Sequence, residues 1–234
     1  MKHVFYQYFK TARQKTLVET ASFNYVNLSL DSIGAYARKY GYERRFESKT
    51  TVPFSEFYGI FLPFLEGWCW DYDSICFIDC DIMASTEAEN IYDYVSMDTI
   101  NAYVQPSLSM VAHETDSRFE FYRQKMGGWV NSGVVVFPKS IYSDLIYFLK
   151  DLPEYFEMRM QTYPMSIGFF DQFVVNEFIR LNGSWNALPE KFNYIHGHPD
   201  VWHQIKEEEA QLHHYHRKSK EKMLQAHESG KILK

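Results

Sequence analysis

Two aspartates separated by one residue follow a short apolar run, and they are the sequence's clearest sign of chemistry. Residues 74–78 read Ser-Ile-Cys-Phe-Ile, and Asp79-Cys80-Asp81 comes directly after them. Alternate side chains of an extended backbone point the same way, so the two carboxylates would repel each other and need a counter-charge. Hard carboxylate oxygens suit Mn²⁺ or Mg²⁺, and such an ion commonly bridges to phosphate groups of a ligand. The apolar run directly before the pair favours a metal site over the alternative, in which one aspartate caps the next element and the other is exposed.

Histidines form a second group of candidate ligands. Six of the nine lie close together: His196, His198, His203, His213, His214 and His216. A zinc site is one interpretation, but no spacing here matches HExxH and none of the three cysteines lies nearby. In the other interpretation, one imidazole completes the coordination of a metal held by the two aspartates, and it comes from His213, His214 or His216. A basic run follows, and it suits phosphate oxygens or a solvated helix face: Arg217, Lys218, Lys220 and Lys222.

Small polar residues form a third candidate site. Asn131-Ser132-Gly133 follow a double glycine and lead into an apolar run at 134–137. Glycines let a ligand approach the backbone, and an Asn side chain offers a donor and an acceptor to the hydroxyl groups of a sugar. Ordinary turn chemistry explains these residues equally well. Asp171-Gln172 opens a predicted helix, where a carboxylate is favoured as a cap.

Strands and helices must alternate to position these side chains. Apolar and β-branched runs predict strands at 4–9, 42–46, 74–78, 99–104 and 134–137. Helical spacing predicts helices from 29 or 31 to 40 and at 54–68, 87–95, 141–149 and 171–181. Such alternation implies an α/β fold with a mainly parallel sheet, in which ligands bind at the carboxyl ends of the strands.

Composition sets the class of protein. The chain has 234 residues, 24 Lys and Arg against 30 Asp and Glu, and 46% hydrophobic residues, which predicts one folded domain that does not bind nucleic acid. The most apolar stretch, residues 58–70, is too short to span a membrane. Three closely spaced cysteines predict reduced, buried thiols in a cytoplasmic protein, and the N-terminal residues do not resemble a secretion signal.

In order and spacing, five segments resemble motifs of the GT-A nucleotide-sugar glycosyltransferases, most closely glycosyltransferase family 8. They are SICFIDCDIM at 74–83 for the strand and DxD motif, WVNSGV at 129–134, Asp171-Gln172, LPEKFNY at 188–194, and His214-Tyr215 with Lys220 for HYxGxxK. The resemblance covers roughly residues 76–220. It implies a single GT-A domain over residues 1–220, followed by a loose tail or solvated helix at 221–234.

The resemblance also implies a role for each matching residue. Asp79, Asp81 and His214 would bind Mn²⁺ or Mg²⁺, and Lys220 the diphosphate of a UDP- or GDP-sugar. The donor sugar would contact Asn131, Ser132 and Gly133, and the catalytic pair Asp171 and Gln172 would lie beside the anomeric carbon and a glycan or other hydroxyl acceptor. Gln7 and Tyr8 stand where the family has acidic and Asn residues around the nucleobase. The family transfers its sugar with retention of configuration.

The chain departs from the family pattern elsewhere too. Arg217 replaces the glycine of the last motif, and no arginine occurs between Arg45 and Arg118, where family members carry one before the DxD motif. Two other functions remain as alternatives. A phosphatase of the HAD type also places a DxD pair after a buried strand, and a non-catalytic carbohydrate-binding module would explain the 18 tyrosines and 5 tryptophans.

Overall fold

Two β-sheets organise the chain. The computed structural model describes residues 1–9, 25–48, 59–106, 121–151, 170–197 and 203–234. The strands in chain order are β1 (His3–Tyr8), β2 (Glu43–Glu47), β3 (Ser74–Ile78), β4 (Ile82–Ala84), β5 (Ile100–Gln105), β6 (Trp129–Pro138), β7 (Trp185–Ala187), β8 (Tyr194–His196) and β9 (Leu212–Tyr215). Six of them form a central sheet in the order β2-β1-β3-β6-β5-β7, and the other three form a small sheet in the order β4-β9-β8.

The central sheet is mainly parallel, as predicted. β1 pairs in parallel with β2 and β3, and β5 pairs in parallel with β7. β6 pairs antiparallel with both of its neighbours, β3 and β5, so it is the one reversed strand of the six. The buried strand predicted before the acid pair is β3, and all five of its residues are buried.

The small sheet adjoins the carboxyl end of β3. The chain runs from β3 into β4 through Asp79-Cys80-Asp81, so this acid loop links the two sheets. β4 pairs antiparallel with β9, with Ile82 opposite His214, and β9 pairs in parallel with β8. This register brings a strand from late in the chain next to the acid loop.

Five α-helices lie within the described residues: α1 (Tyr25–Lys39), α2 (Leu62–Leu65), α3 (Tyr142–Leu149), α4 (Phe170–Asn182) and α5 (Glu221–Glu228). The predicted helices at 141–149 and 171–181 are confirmed as α3 and α4. Of the helix predicted at 54–68, residues 54–58 lie outside the described part, and the rest holds a 3₁₀ turn (Gly59–Phe61) and α2. None of the helices among the described residues has the length and apolar character needed to cross a bilayer.

The helix predicted at 87–95 is wrong. This segment contains a single 3₁₀ turn, Ile91–Tyr94. The Asn90 side chain accepts a hydrogen bond from the Tyr92 amide. The Tyr36 hydroxyl of α1 donates to the Glu89 carbonyl at 2.6 Å and accepts from the Ile91 amide at 2.9 Å. These bonds satisfy backbone groups that a longer helix would use, so tertiary contacts override the local pattern.

Two apolar layers cover the central sheet, because successive residues of a strand face opposite sides. In β1, Val4 and Tyr6 pack in the layer that includes α3 and α4, whereas Phe5 packs against Ile33 and Tyr36 of α1. The cysteines of the chain are buried and unbridged, as predicted: Cys69, Cys76 and Cys80. A cytoplasmic location stays a prediction.

Residues 221–234 are packed onto the fold, so the prediction of a loose tail is wrong and its helical alternative is correct in part. Met223 of α5 is fully buried in a cluster with Met83, Tyr215 and Ile232. Ile232 forms a β-bridge with Ser85 just beyond β4. The segment therefore extends the small sheet, and the domain boundary at residue 220 stays a prediction.

Truncating Met223 should destabilise the whole domain. We expect Met223→Ala to lower the free energy of unfolding by about 2–5 kcal/mol, because it leaves a cavity in a closed apolar cluster. Urea unfolding measures this, with Glu228→Ala on the exposed side of α5 as the control, expected within about 0.5 kcal/mol of the parent. Equal effects of the two substitutions would contradict cooperative packing of α5.

Candidate active site

The acid loop is held by backbone hydrogen bonds to both sheets. The Asp79 amide donates to the Gly133 carbonyl of β6 at 2.9 Å, and the Tyr215 amide of β9 donates to the Asp81 carbonyl at 2.9 Å. A turn closes the loop, because the Ile82 amide donates to the Asp79 carbonyl at 3.2 Å. The two carboxylates therefore project from a fixed backbone between the sheets.

Three candidate metal ligands converge at this loop. One ligand atom each from Asp79, Asp81 and His214 lie within 4.8 Å of one another. His214 Nε2 is 3.3 Å from Asp81 Oδ1. Two hard carboxylate oxygens and one imidazole nitrogen are donors that Mn²⁺ and Mg²⁺ accept, so the residues predicted as ligands fit such a cation.

Strand alternation selects His214 from the three histidines that the sequence offered. His214 lies between His213 and Tyr215 in β9, so its side chain takes the opposite face of the strand from theirs. His213 instead lies 3.0 Å from the His196 imidazole of β8.

An amide relay fixes the His214 ring. His214 Nδ1 lies 3.0 Å from Asn193 Oδ1, and Asn193 Nδ2 donates to Asn131 Oδ1 at 2.9 Å. Because the Asn193 amide donates through Nδ2, its Oδ1 must accept, and the proton of a neutral His214 sits on Nδ1. The lone pair of Nε2 then faces the acid pair, as metal-binding histidines require. Asn193 lies within the LPEKFNY segment, but no feature of that segment indicated this role.

Asn131, Ser132 and Gly133 belong to β6, so the prediction of a turn here is wrong. A Cβ on Gly133 would lie 2.6 Å from two atoms of the His214 ring, which no side chain tolerates. The Gly133 amide also donates to Asn131 Oδ1 at 2.9 Å. The glycine is needed because the imidazole packs directly on the strand.

The start of α4 is bonded to β6 through Ser132. Its hydroxyl donates to Asp171 Oδ2 at 3.0 Å, and its amide donates to Gln172 Oε1 at 3.4 Å. Gln172 is 6% exposed, whereas Asp171 is partly open to solvent. The helix therefore places the predicted catalytic pair beside the acid loop, with Asp171 the more exposed of the two.

Gln7 lies beneath the acid loop, which differs from its predicted position at a nucleobase. Its side chain is fully buried, and Nε2 donates to Ser29 Oγ at 3.0 Å and to the Asp79 carbonyl at 3.4 Å. Ser29 Oγ in turn donates to the Ile82 carbonyl at 2.6 Å. Gln7 therefore supports the loop backbone and has no surface that a ligand reaches in this structure.

Tyr8 has a similar supporting position. Its ring is buried against Gly59, where a Cβ would lie 1.9 Å from the ring, and its carbonyl accepts a bond from Cys80 Sγ at 3.4 Å. Burial in this packing is the physical reason why neither residue of the pair predicted to contact the donor faces the open site.

Lys220 supplies the positive charge of the site. Its Nζ lies 2.9 Å from Asp81 Oδ2 and 4.5 Å from the centre of the Tyr25 ring. A 3₁₀ turn, Arg217–Lys220, carries this side chain from the end of β9 to the acid loop. The aromatic partner at the start of α1 was not foreseen from sequence.

The two acids of the DxD pair have opposite electrostatic environments. Burial, together with the charges of Asp81 and Asp171, raises the pKa of Asp79 well above its usual range. Burial also acts on Asp81, but His214 and Lys220 outweigh it and hold the pKa of Asp81 below its usual range. Burial raises the pKa of Asp171 as well. Asp81 therefore has counter-charges within the protein, whereas Asp79 and Asp171 have no cation of their own among the described residues.

The fold and this acid loop define a GT-A architecture, the fold class predicted from the motifs. Three solved structures with this fold are glycosyltransferases. One, involved in glycosylation of the major capsid of PBCV-1, matches with a TM-score of 0.58 and 11% identity over 97% of this chain and 100% of its own. Mouse xyloside xylosyltransferase 1 matches with a TM-score of 0.54 and 12% identity, over 94% of this chain and 99% of its own. The galactosyltransferase LgtC, solved with donor and acceptor sugar analogs, matches with a TM-score of 0.52 and 14% identity, over 98% of this chain and 96% of its own.

These similarities in structure establish the fold, because the sequence identities are low. No protein-family model matches the sequence, and no curated protein sequence matches it either.

Adding a methyl group at Gly133 should displace the His214 ring. We expect Gly133→Ala to cost about 1–3 kcal/mol of stability and to weaken Mn²⁺ binding, because the new Cβ overlaps the imidazole. Urea unfolding measures the loss of stability, and calorimetric titration with Mn²⁺ measures the weaker binding. The control is Gly34→Ala in α1, where flexible arginine side chains are the nearest neighbours and alanine favours the helix. Unchanged Mn²⁺ affinity in Gly133→Ala would contradict the placement of His214.

Replacing each aspartate of the acid pair by asparagine should change the stability of the protein in opposite directions. Asp79→Asn should stabilise the protein at pH 7 in EDTA by on the order of 1 kcal/mol, because it removes a carboxylate whose pKa is raised on folding. Such a carboxylate opposes folding above its raised pKa and has no effect below about pH 4, where it is protonated in both states, so the gain should vanish there.

Asp81→Asn is the matched control two residues away. It should lower the stability at pH 7 by about 1.5–3 kcal/mol, because the charged hydrogen bond to Lys220 and the contact with His214 are lost. Urea unfolding at both pH values measures the two variants. Effects of the same sign at pH 7 would contradict the charge distribution described above.

Proposed function

We propose that the chain is a metal-dependent glycosyltransferase that moves a sugar from a UDP- or GDP-sugar to a hydroxyl of a glycan or another acceptor. One observation carries the proposal: Asp79, Asp81 and His214 converge beside the Lys220 ammonium in a fold shared with solved glycosyltransferases. The fold supports this function over the phosphatase and the carbohydrate-binding module, which the sequence had left as alternatives.

Asp79, Asp81 and His214 would hold Mn²⁺ or Mg²⁺. The Asn193 relay presents the His214 lone pair, and the uncompensated Asp79 carboxylate has the most to gain from a cation. When bound, the ion would neutralise the charge that develops on a departing diphosphate.

Lys220 would bind a diphosphate oxygen. Burial opposes its charge, but Asp81 and Tyr25 raise the pKa of Lys220 above its usual value, so the ammonium is fully protonated at neutral pH. Phosphate oxygens of a donor would compete with Asp81 for the Lys220 ammonium. A charged hydrogen bond from Lys220 to the diphosphate would stabilise the diphosphate as it leaves.

Asn131 would orient the donor sugar through its amide nitrogen. Its Oδ1 already accepts bonds from Asn193 and Gly133, whereas its Nδ2 has no partner among the residues described. A sugar hydroxyl is a suitable acceptor for this donor. Ser132 would contribute indirectly, since its hydroxyl holds Asp171.

Asp171 is the better placed of the predicted catalytic pair. Its carboxylate lies close enough to Asp79 to raise the pKa of that group, and it is partly exposed to solvent. An electron-rich oxygen there would stabilise an oxocarbenium-like centre and favour retention of configuration. The Gln172 carbonyl oxygen accepts a bond from β6, so we assign Gln172 to positioning this end of α4.

The activity test combines a donor screen with two variants. UDP- and GDP-sugars should raise the melting temperature only when Mn²⁺ is present, because a ligand that binds the native state stabilises it. Asp81→Asn should lower metal-dependent donor hydrolysis by about 100-fold or more, with Asp98→Asn on the surface as the control. Unchanged turnover in Asp81→Asn would overturn the proposed metal site.

Lys220→Ala separates the diphosphate contact from metal binding. We expect the Kd for the donor to rise about 10- to 100-fold, because one charged hydrogen bond is removed, while Mn²⁺ still binds. Lys150→Ala, at the exposed end of α3, is the matched control. An unaltered donor affinity in Lys220→Ala would remove Lys220 from the donor site.

A further inference from the structure

A basic groove lies along α1, between this helix, β2 and the C-terminal segment. Its volume is about 440 Å³, which is within the range of about 300–1,000 Å³ that is usual for small-ligand sites. Leu30, Gly34 and Arg38 line it from one face of α1, because they are four residues apart. Ser29, which holds the acid loop from below, lies on another face of the helix. The basic groove therefore shares no lining residue with the candidate active site.

Two guanidinium groups converge over Gly34. Arg38 Nη1 and Arg44 Nη1 lie 3.4 and 3.3 Å from the point where a Cβ on Gly34 would be, so both arginines enter space that a side chain would fill. Arg44 is held in place, since its Nη1 donates to the Leu30 carbonyl of α1. The Arg38 side chain is exposed, and within the part of the chain that the structure describes it forms no hydrogen bond or ion pair. The pair is therefore close together and largely free to bind a ligand.

Positive charge exceeds negative charge in the basic groove. The side chains of Arg38, Arg44 and Lys234 are cationic, and Asp31 is the one carboxylate side chain among the described residues that line it. With His227 neutral, the excess is two charges. Neither arginine forms an ion pair with a carboxylate of the described residues. Because the two guanidinium groups repel each other, a bound anion would stabilise their arrangement.

The chemistry of the pair selects a phosphate group among anions. A planar guanidinium presents parallel N–H donors that fit phosphate oxygens, and two guanidinium groups can bind one tetrahedral phosphate from two sides. A phosphate monoester carries about 1.5 to 2 negative charges at pH 7, which matches the excess in the basic groove. A carboxylate carries one charge and would leave part of that excess unbalanced.

The rest of the basic groove indicates a small ester. Leu30, Ala37 and Tyr42 give the lining an apolar part, which a bare phosphate ion would leave uncovered. The whole chain has a formal charge of −6, so a long polyanion such as a nucleic acid would be repelled outside the groove. A small phosphate monoester keeps its charge beside the arginines and avoids this repulsion.

We propose that the basic groove binds a small phosphate monoester, with Arg38 and Arg44 as the side chains that anchor its phosphate group. A soluble ester and the headgroup of a phospholipid both present this group, and the enclosed volume favours the soluble ester. The site is separate from the proposed donor site. It holds whether or not the chain transfers a sugar.

The test is calorimetric titration of the full chain with phenyl phosphate, in EDTA at pH 7.5 and constant ionic strength. Phenyl phosphate should bind saturably, and benzoate, which has the same ring but one charge, should bind at least about tenfold more weakly. Inorganic phosphate should also bind more weakly than phenyl phosphate, because it leaves the apolar part of the groove uncovered. Equal affinities for phenyl phosphate and benzoate would overturn the proposal. Binding to vesicles that contain phosphatidic acid, without binding of phenyl phosphate, would overturn it too.

Matched arginine variants locate the binding. Arg38→Gln should weaken phenyl phosphate binding about 10- to 100-fold, because a charged hydrogen bond is lost. The Arg38 side chain is exposed and unbonded, so this variant should fold like the parent. Arg45→Gln is the control: Arg45 follows Arg44 in β2, so it faces the other side of the sheet, and its loss changes the net charge equally. Equal binding by Arg38→Gln and Arg45→Gln would place the phosphate elsewhere.

Lys220→Ala separates the basic groove from the proposed donor site. The variant should bind phenyl phosphate as the parent does, because Lys220 does not line the groove. Loss of phenyl phosphate binding in Lys220→Ala would assign the anion to the acid loop and overturn the proposal. That outcome would leave the proposed glycosyltransferase function standing, so the two proposals fail separately.

Discussion

Repulsion among three partly buried carboxylates is the constraint around which this site is built. Asp79, Asp81 and Asp171 share one edge of the central sheet, and poor solvation strengthens their mutual repulsion. The protein resolves it for Asp81 alone, with His214 and Lys220. The remaining negative charge is not balanced by a nearby side chain among the described residues. A fold that retains such an imbalance gives up stability for the ability to take up a cation.

Most of the supporting contacts act on the geometry of this loop. Gln7 and Ser29 hold its backbone from below, and strands β6 and β9 hold it from the two sides. Asn193 orients the imidazole, and Gly133 leaves room for it. None of these four residues has to touch a ligand to matter, since each removes freedom from a residue that would.

Sequence reasoning succeeded where the signal is local. The strand before Asp79, the helix that begins at the Asp171 pair and the alternation of strands and helices follow from patterns within ten or so residues. It failed where a contact joins distant segments: the roles of Gln7 and Asn193 depend on partners 72 and 21 residues away. Residues 87–95 have helical spacing, yet hydrogen bonds from Tyr36 of α1 satisfy the backbone in another way. The residue pattern alone left three histidines open; the motif resemblance selected His214, and the register of β9 supplies the physical reason, which no local pattern specifies.

That register determines which histidine of β9 faces the acid loop. In β9 the side chains alternate, so a shift of one residue against β4 would exchange the faces of His213 and His214. The pairing of Ile82 with His214 and the bond from the Tyr215 amide to the Asp81 carbonyl both oppose such a shift. The carbonyl bond is made by the acid loop itself, so the loop that would bind the cation also fixes which histidine reaches it. The packing of Met223 and Ile232 against Tyr215 on the other face holds the same strand in place. Through this packing, residues 221–234 contribute to the geometry of the acid pair by way of the strand that carries His214.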